Sequence, residues 1–289
     1  MLLKKDDYKL LTFFNNSSLN CYIIFFERRF YTMKIDLTPK FIDEATTPLA
    51  KSVGKTLDSL WSLVFGGIDF YVDKVNTKRV HSLQLFKEEL ETKVSSIPEE
   101  SLTEPPLHII GPTIEASKFY FENDELRSMF ANLIAASFDA KTLNKTHPAF
   151  IELIKQLSPL DAKNLKIFKS GNTYPIVKYN LMTENNSSFT EKDNVFLDND
   201  EVLNIDLNST SITNLNRLGL LEITYGTTLV RAGAYDKFYN EPFFKSLKDI
   251  FKNGKHKEDQ TLSGFIDIDL KKGVILLTPF GSNFIDICL

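Results

Sequence analysis

Glu115, Glu122, Asp124, Glu125 and Glu152 are the residues whose types and spacing come nearest to chemistry. Brought together by a fold, such carboxylates could trade protons as an acid–base pair or gather divalent ions as in a nuclease. Asp124 and Glu125, however, open a helix pattern, where negative charge is favoured by the positive end of the helix dipole. Asp124 also stands three residues before Arg127, a common helix-surface pair worth a few tenths of a kcal/mol. The four histidines, His81, His108, His147 and His256, are scattered, and the two cysteines, Cys21 and Cys288, lie at opposite ends of the chain. Neither set has the close i, i+3 or i, i+4 spacing of a metal site. His147, ahead of Pro148, suits a turn or cap at a helix start, and Cys288 suits a small buried hydrophobe. Gly54-Lys55-Thr56 imitates the end of a phosphate loop, but Leu49 stands where that loop needs its first glycine. Ser282 lacks the second glycine of a nucleophile elbow. No cofactor is implied, and the reading is non-enzymatic.

The elements that would have to position these groups are legible around residues 122–170. Asn123 is a good N-cap, and Leu126, Phe130, Leu133, Ile134 and Phe138 then follow one face of a helix from about Asp124 to Phe138. A second helix starts at Pro148, with Phe150, Ile151, Leu153, Ile154 and Leu157 apolar on more than one side. A third starts at Ser158-Pro159-Leu160-Asp161, where a capping serine is followed by a carboxylate able to reach back to it.

The series DELRSMFANLIAASFD and HPAFIELIKQLSPLDA resembles the Abi-alpha family, named for abortive infection in phage defence. The upstream PPLHIIGPTIEASKFY and the terminal ILLTPFGSNFIDICL are similar to the same family, so the resemblance runs from about Met33 to Leu289. It implies a bacterial, helix-rich, defence-associated protein. Its motifs are packing and capping positions, and it brings no catalytic residue.

Upstream, residues 1–32 hold lysines and a six-residue apolar patch, Cys21 to Phe26, too short for a secretory signal or a span. They read as a poorly structured extension, with Met33 as an alternative start. Helix signals stand at Thr38-Pro39 and at Pro48. A long helical run from Pro48 to Val94 is expected to break near Gly66-Gly67. Leu57, Leu60, Trp61, Val64, Phe65 and Ile68 form an apolar stripe that suits either a core or, over residues 57–72, a membrane-active segment. Asp58 and Asp69 leave about ten residues between them, against the roughly 20 of a span. From Lys74 to Val94 a charged helix keeps Val80, Leu83, Phe86 and Leu90 on one face, and Pro98, Pro105 and Pro106 stiffen the connection to a short helix at Thr113–Phe121.

Downstream, Tyr174–Met182 reads as a strand, Thr183–Asp200 as a polar loop, Ser209–Leu218 as a helix stopped by Gly219, and Leu220–Thr224 as a strand. A helix at Asn240–Lys252 follows. Then Gly264–Asp269 and Val274–Leu277 flank Lys271-Lys272-Gly273, which reads as a hairpin turn, and Thr278-Pro279 starts a last helix. This order suggests a winged helix interrupted near residues 226–262. Used on DNA, it would present Asn214 and Arg217 from its recognition helix and Lys271 and Lys272 from its wing. Asp198, Asp200, Glu201 and Asp206 would oppose a phosphate backbone there.

The expectation is therefore a mainly α fold. A helical domain at 33–170 precedes an α+β, winged-helix-like domain at 171–289. The chain has 289 residues, a net charge of −4 and 43% hydrophobic residues, an ordinary globular composition and not a strongly basic one. The functional reading is a cytoplasmic phage-defence protein acting through a protein partner or self-association, with no stable membrane span. A DNA-binding regulator is the alternative, and a membrane-active effector a further one.

Overall fold

The computed structural model describes residues 47–66 and 74–289. The extension at 1–32, Met33, Thr38-Pro39 and Ile68 lie outside the described residues.

Helix α1, Pro48–Phe65, begins under a Thr47 cap and ends at Gly66. Its stripe is core: Leu57, Trp61 and Phe65 are buried, with Leu60 and Val64 packed against them. Among the described residues no helix is long and apolar enough to cross a membrane. Helix α2, Lys74–Ser95, buries Leu83, Phe86, Leu90 and Val94, and its Phe86 ring meets Trp61 at 5.4 Å.

Helix α3 runs over Leu107–Ser117, six residues earlier than Thr113, and carries Pro112 inside it. Pro112 and His108 are both exposed, and the proline lacks the N–H that would otherwise reach the His108 carbonyl. Ile109, Ile110, Thr113 and Ile114, on the buried side, hold the helix in place.

Helix α4, Asp124–Ser137, has the Asn123 cap, with Oδ1 accepting from the Leu126 amide. Helix α5, Ala149–Gln156, has Pro148 as its cap residue, and His147 Nδ1 accepts from the Ala149 amide. Helix α6, Pro159–Ile167, has the full capping box: Ser158 Oγ accepts from the Asp161 amide, and Asp161 Oδ2 accepts from the Ser158 amide at 2.7 Å.

After α6 comes a four-stranded antiparallel sheet in the order β2-β1-β4-β3, which makes the fold α+β. Strand β1 is Thr173–Met182, β2 Ser188–Val195, β3 Leu221–Thr224 and β4 Asp267–Leu277. Between β2 and β3 lies helix α7, Ile205–Arg217. Between β3 and β4 lie the short α8, Asp236–Tyr239, and α9, Pro242–Lys252. Helix α10, Pro279–Cys288, closes the chain.

Two expectations here are corrected. Residues 183–200 are not one loop, because 188–195 form β2, an edge strand whose first residues are exposed and, Phe189 apart, polar. Lys271-Lys272-Gly273 is not a turn: β4 runs unbroken through it, paired with β1 from Thr173↔Leu276 to Met182↔Asp267. Gly273 serves close approach instead. A Cβ there would lie 2.6 Å from both the Thr224 carbonyl oxygen and the Tyr225 ring.

The sheet has a core on each side. One apolar cluster reaches from Ala50 in α1 through α2–α7 to Cys288 in α10, taking in Ile176 and Ile275. The other lies on the opposite side, where α8 and α9 bring Phe238, Phe244 and Phe251 onto Val177, Tyr179, Ile268 and Leu270. Burial raises the Tyr179 hydroxyl far above the ordinary tyrosine range, with the charge of Glu241 adding to it, and that hydroxyl donates to the Phe238 carbonyl.

Candidate functional site

The candidate catalytic groups disperse. Glu122 faces Arg79, Asp124 faces Arg127, Glu152 faces Lys155, Glu115 faces Lys118, and Glu125 faces Lys163. Gly54 lies within α1 and Ser282 is exposed on α10, so neither sits in a loop that could cradle a ligand. Among the described residues no group of three or more His, Cys, Asp or Glu side chains could hold a metal ion.

The polar side chains that do converge surround α7. Its cap is Asn204, whose Oδ1 accepts from the amides of Asp206 and Leu207, so the helix starts before Ser209. Ser209 instead donates its hydroxyl to the Asp193 carbonyl of β2 at 2.6 Å, which ties α7 to the sheet edge. A buried amide network ties α7 to α6. Asn164 Nδ2 donates to Ser211 Oγ and Asn208 Oδ1, and Asn164 Oδ1 accepts from Asn199 Nδ2 at 2.6 Å. Asn199 Oδ1 in turn accepts from the amides of Glu201 and Val202, and Asn208 Nδ2 donates to the Val202 carbonyl. Partners on every side are what make such a buried network affordable, and they give the loop before α7 one conformation.

Asn214 and Arg217 come together at the α5–α6 corner, Asn214 half-buried and Arg217 exposed. Asn214 Nδ2 donates to Asp161 Oδ2 and to the Gln156 carbonyl, while its Oδ1 accepts from Arg217, whose Nη2 also donates to Gln156 Oε1. Lys271 and Lys272 are elsewhere and, as neighbours on a strand, point to opposite faces. Lys271 and Lys178 lie over the Tyr225 ring, and Lys272 lies over Tyr235 and Tyr239. Burial raises the Tyr225 hydroxyl, as does the charge of Asp193, and it donates to Asn194 Oδ1 at 2.8 Å.

Outside the network two leucines stand unpartnered. Leu203, just before the Asn204 cap, is 86% exposed, and Leu207, in the first turn of α7, is 54% exposed. Glu201, two residues before Leu203, lines a cavity of about 450 Å³ with Glu125, Lys163, Lys166, Asp198 and Asp200 among others. Lys163 crosses it, 3.0 Å from Glu201 and 3.8 Å from Glu125. The hydrogen bond and charge of Glu201, with Glu125, hold its ammonium above the usual lysine range. The signal for this surface was present in the sequence as Leu203 and Leu207 four apart among Asp200, Glu201 and Asp206. It was read only as a charge pattern.

The chain belongs to the abortive infection alpha family, whose model matches residues 78–288 and so covers most of it. That membership gives it an abortive-infection-type role. No curated protein and no solved structure matches the chain.

Proposed function

We propose that this is a cytoplasmic phage-defence protein that acts through protein–protein contacts made at the start of α7. The observation that carries the reading is the exposed pair Leu203 and Leu207, held rigidly by the amide network beneath and bordered by Asp200, Glu201 and Asp206. Exposed apolar side chains at a capped helix start suit a protein partner, and the carboxylates suit a phosphate backbone poorly. The reading treats α6, α7, β3, β4 and α10 as a winged-helix-like unit. Its support is the antiparallel β3–β4 pair following α7, with residues 225–266 inserted in place of the wing turn. It also keeps the division near Ser170 between a helical part and a sheet-bearing part.

The test is phage plating by cells expressing the full chain or its Leu203→Asp/Leu207→Asp form. Loss of protection by a variant with unchanged circular dichroism supports the reading. Full protection by that variant rejects this face. Retention of the chain on duplex DNA, abolished by Lys271→Glu/Lys272→Glu, would favour the DNA-binding regulator instead.

A further inference from the structure

We propose that the outer face of α9 and the turn after it form a docking surface for an anionic lipid bilayer. Residues 245–257 carry five lysines against one carboxylate, Asp249, in a chain whose net charge is −4. Lys245, Lys248 and Lys252 are spaced i, i+3, i+7 and share one side of α9, which flanks the edge where Phe244 and Phe251 are buried against the sheet. Lys255 and Lys257 extend the charge onto the 3-10 turn that follows. Lys248 is paired with Asp267 at 2.7 Å, whereas Lys245, Lys252, Lys255 and Lys257 are exposed and form no ion pair among the described residues.

What selects a bilayer over another polyanion is the apolar rim. The Lys248–Asp267 pair fixes α9 beside the start of β4, where Ile266 is 46% exposed. The adjoining Phe265 packs with Leu247 around the outer core, and its ring meets Phe189 of β2 at 5.6 Å. Phe189 is 60% exposed. Lysines reaching headgroup phosphates while apolar side chains enter the interface beside them is the chemistry of peripheral membrane binding. A nucleic acid would be served better by arginines for phosphate and base edges and by further rings for stacking. Residues 245–257 contain no arginine, and Ile266 cannot stack. The surface is remote in sequence from Leu203 and Leu207 and does not depend on the role proposed for them.

The experiment is co-sedimentation of the full chain with vesicles of phosphatidylcholine alone or mixed with phosphatidylglycerol. Binding is expected only to the mixed vesicles, weakening as salt is raised. Each lysine near such a surface contributes about fivefold, so Lys245→Gln/Lys252→Gln/Lys255→Gln should lower the partition coefficient roughly a hundredfold. Phe189→Ser/Ile266→Ser should lower it less. All five side chains lie outside the core, and circular dichroism checks the fold of each variant. Equal binding to both vesicle types, no binding to either, or a triple variant that sediments like the parent overturns the proposal. Tight binding of a single-stranded or duplex oligonucleotide without vesicle binding would overturn it too and reassign the lysines to nucleic acid.

Discussion

Asn132 of α4 donates its side-chain amide to the backbone carbonyl of Cys288 at 2.9 Å, joining residues 156 positions apart. The bond sits at the edge of a shared apolar contact. Phe284, Ile285, Ile287 and Cys288 of α10 complete the cluster that α4 centres, and Phe284 meets Phe150 at 5.2 Å. The last helix is therefore part of the first core. Asn132→Ala should cost about 1 kcal/mol in urea unfolding. Removing residues 279–289 should leave no cooperative transition, because several large side chains leave the core together. A truncated chain that unfolds at the parent's urea midpoint would refute this.

The α5–α6 corner rests on few atoms. Asp161 Oδ2 accepts from the Ser158 amide and from Asn214 Nδ2, and Ser158 Oγ returns a bond to Asp161. Ser158→Ala removes one cap bond and should destabilise by about 1 kcal/mol. Asp161→Ala strands two donors at once and should cost about 2–4 kcal/mol. Denaturant midpoints measure both, and equal effects would mean that the Asn214 contact contributes nothing.

Gly273 and Gly264 offer a matched pair on the same stretch of chain. A Cβ at Gly273 meets the Thr224 carbonyl and the Tyr225 ring at 2.6 Å, whereas at Gly264 it meets nothing within 4 Å. Gly273→Ala should lower stability by about 1–3 kcal/mol through overpacking. Gly264→Ala should change it by less than about 0.5 kcal/mol, as surface substitutions do. Equal midpoints for the two variants would show that Tyr225 moves aside freely.

These cases explain what sequence reading reached. Asn123, the Ser158–Asp161 box and the final helix start at Thr278 were legible because a cap and its targets lie within three residues. The apolar faces of α1, α2 and α4 were legible because their periodicity is local. Strand β2 was hidden because an edge strand bathed in water keeps no apolar alternation. Lys271-Lys272-Gly273 misled because the glycine answers to Tyr225, far away in the chain, and to no local turn. Of the candidate site, Asn214 and Arg217 were visible as residue types, but their engagement with Gln156 and Asp161 depends on how α7 meets the α5–α6 corner. The lysine face of α9 was masked by an overall charge of the opposite sign.

Cys288 gives the last prediction, since its thiol reports directly on the α4–α10 contact. It is free and fully buried, and burial raises its pKa well above the ordinary thiol value. Both effects suppress the thiolate, the species that reacts with a disulfide reagent. In a Cys21→Ser background, which leaves Cys288 as the sole thiol, the native protein should resist Ellman's reagent at mildly alkaline pH while the urea-unfolded chain reacts at once. Protection should weaken in Asn132→Ala, because a looser α10 opens more often, whereas Ser158→Ala at the α5–α6 corner should affect it only in proportion to global stability. Fast labelling of the native parent would mean that α10 leaves α4 readily, and the core it shares with the first helices would then not be the resting arrangement.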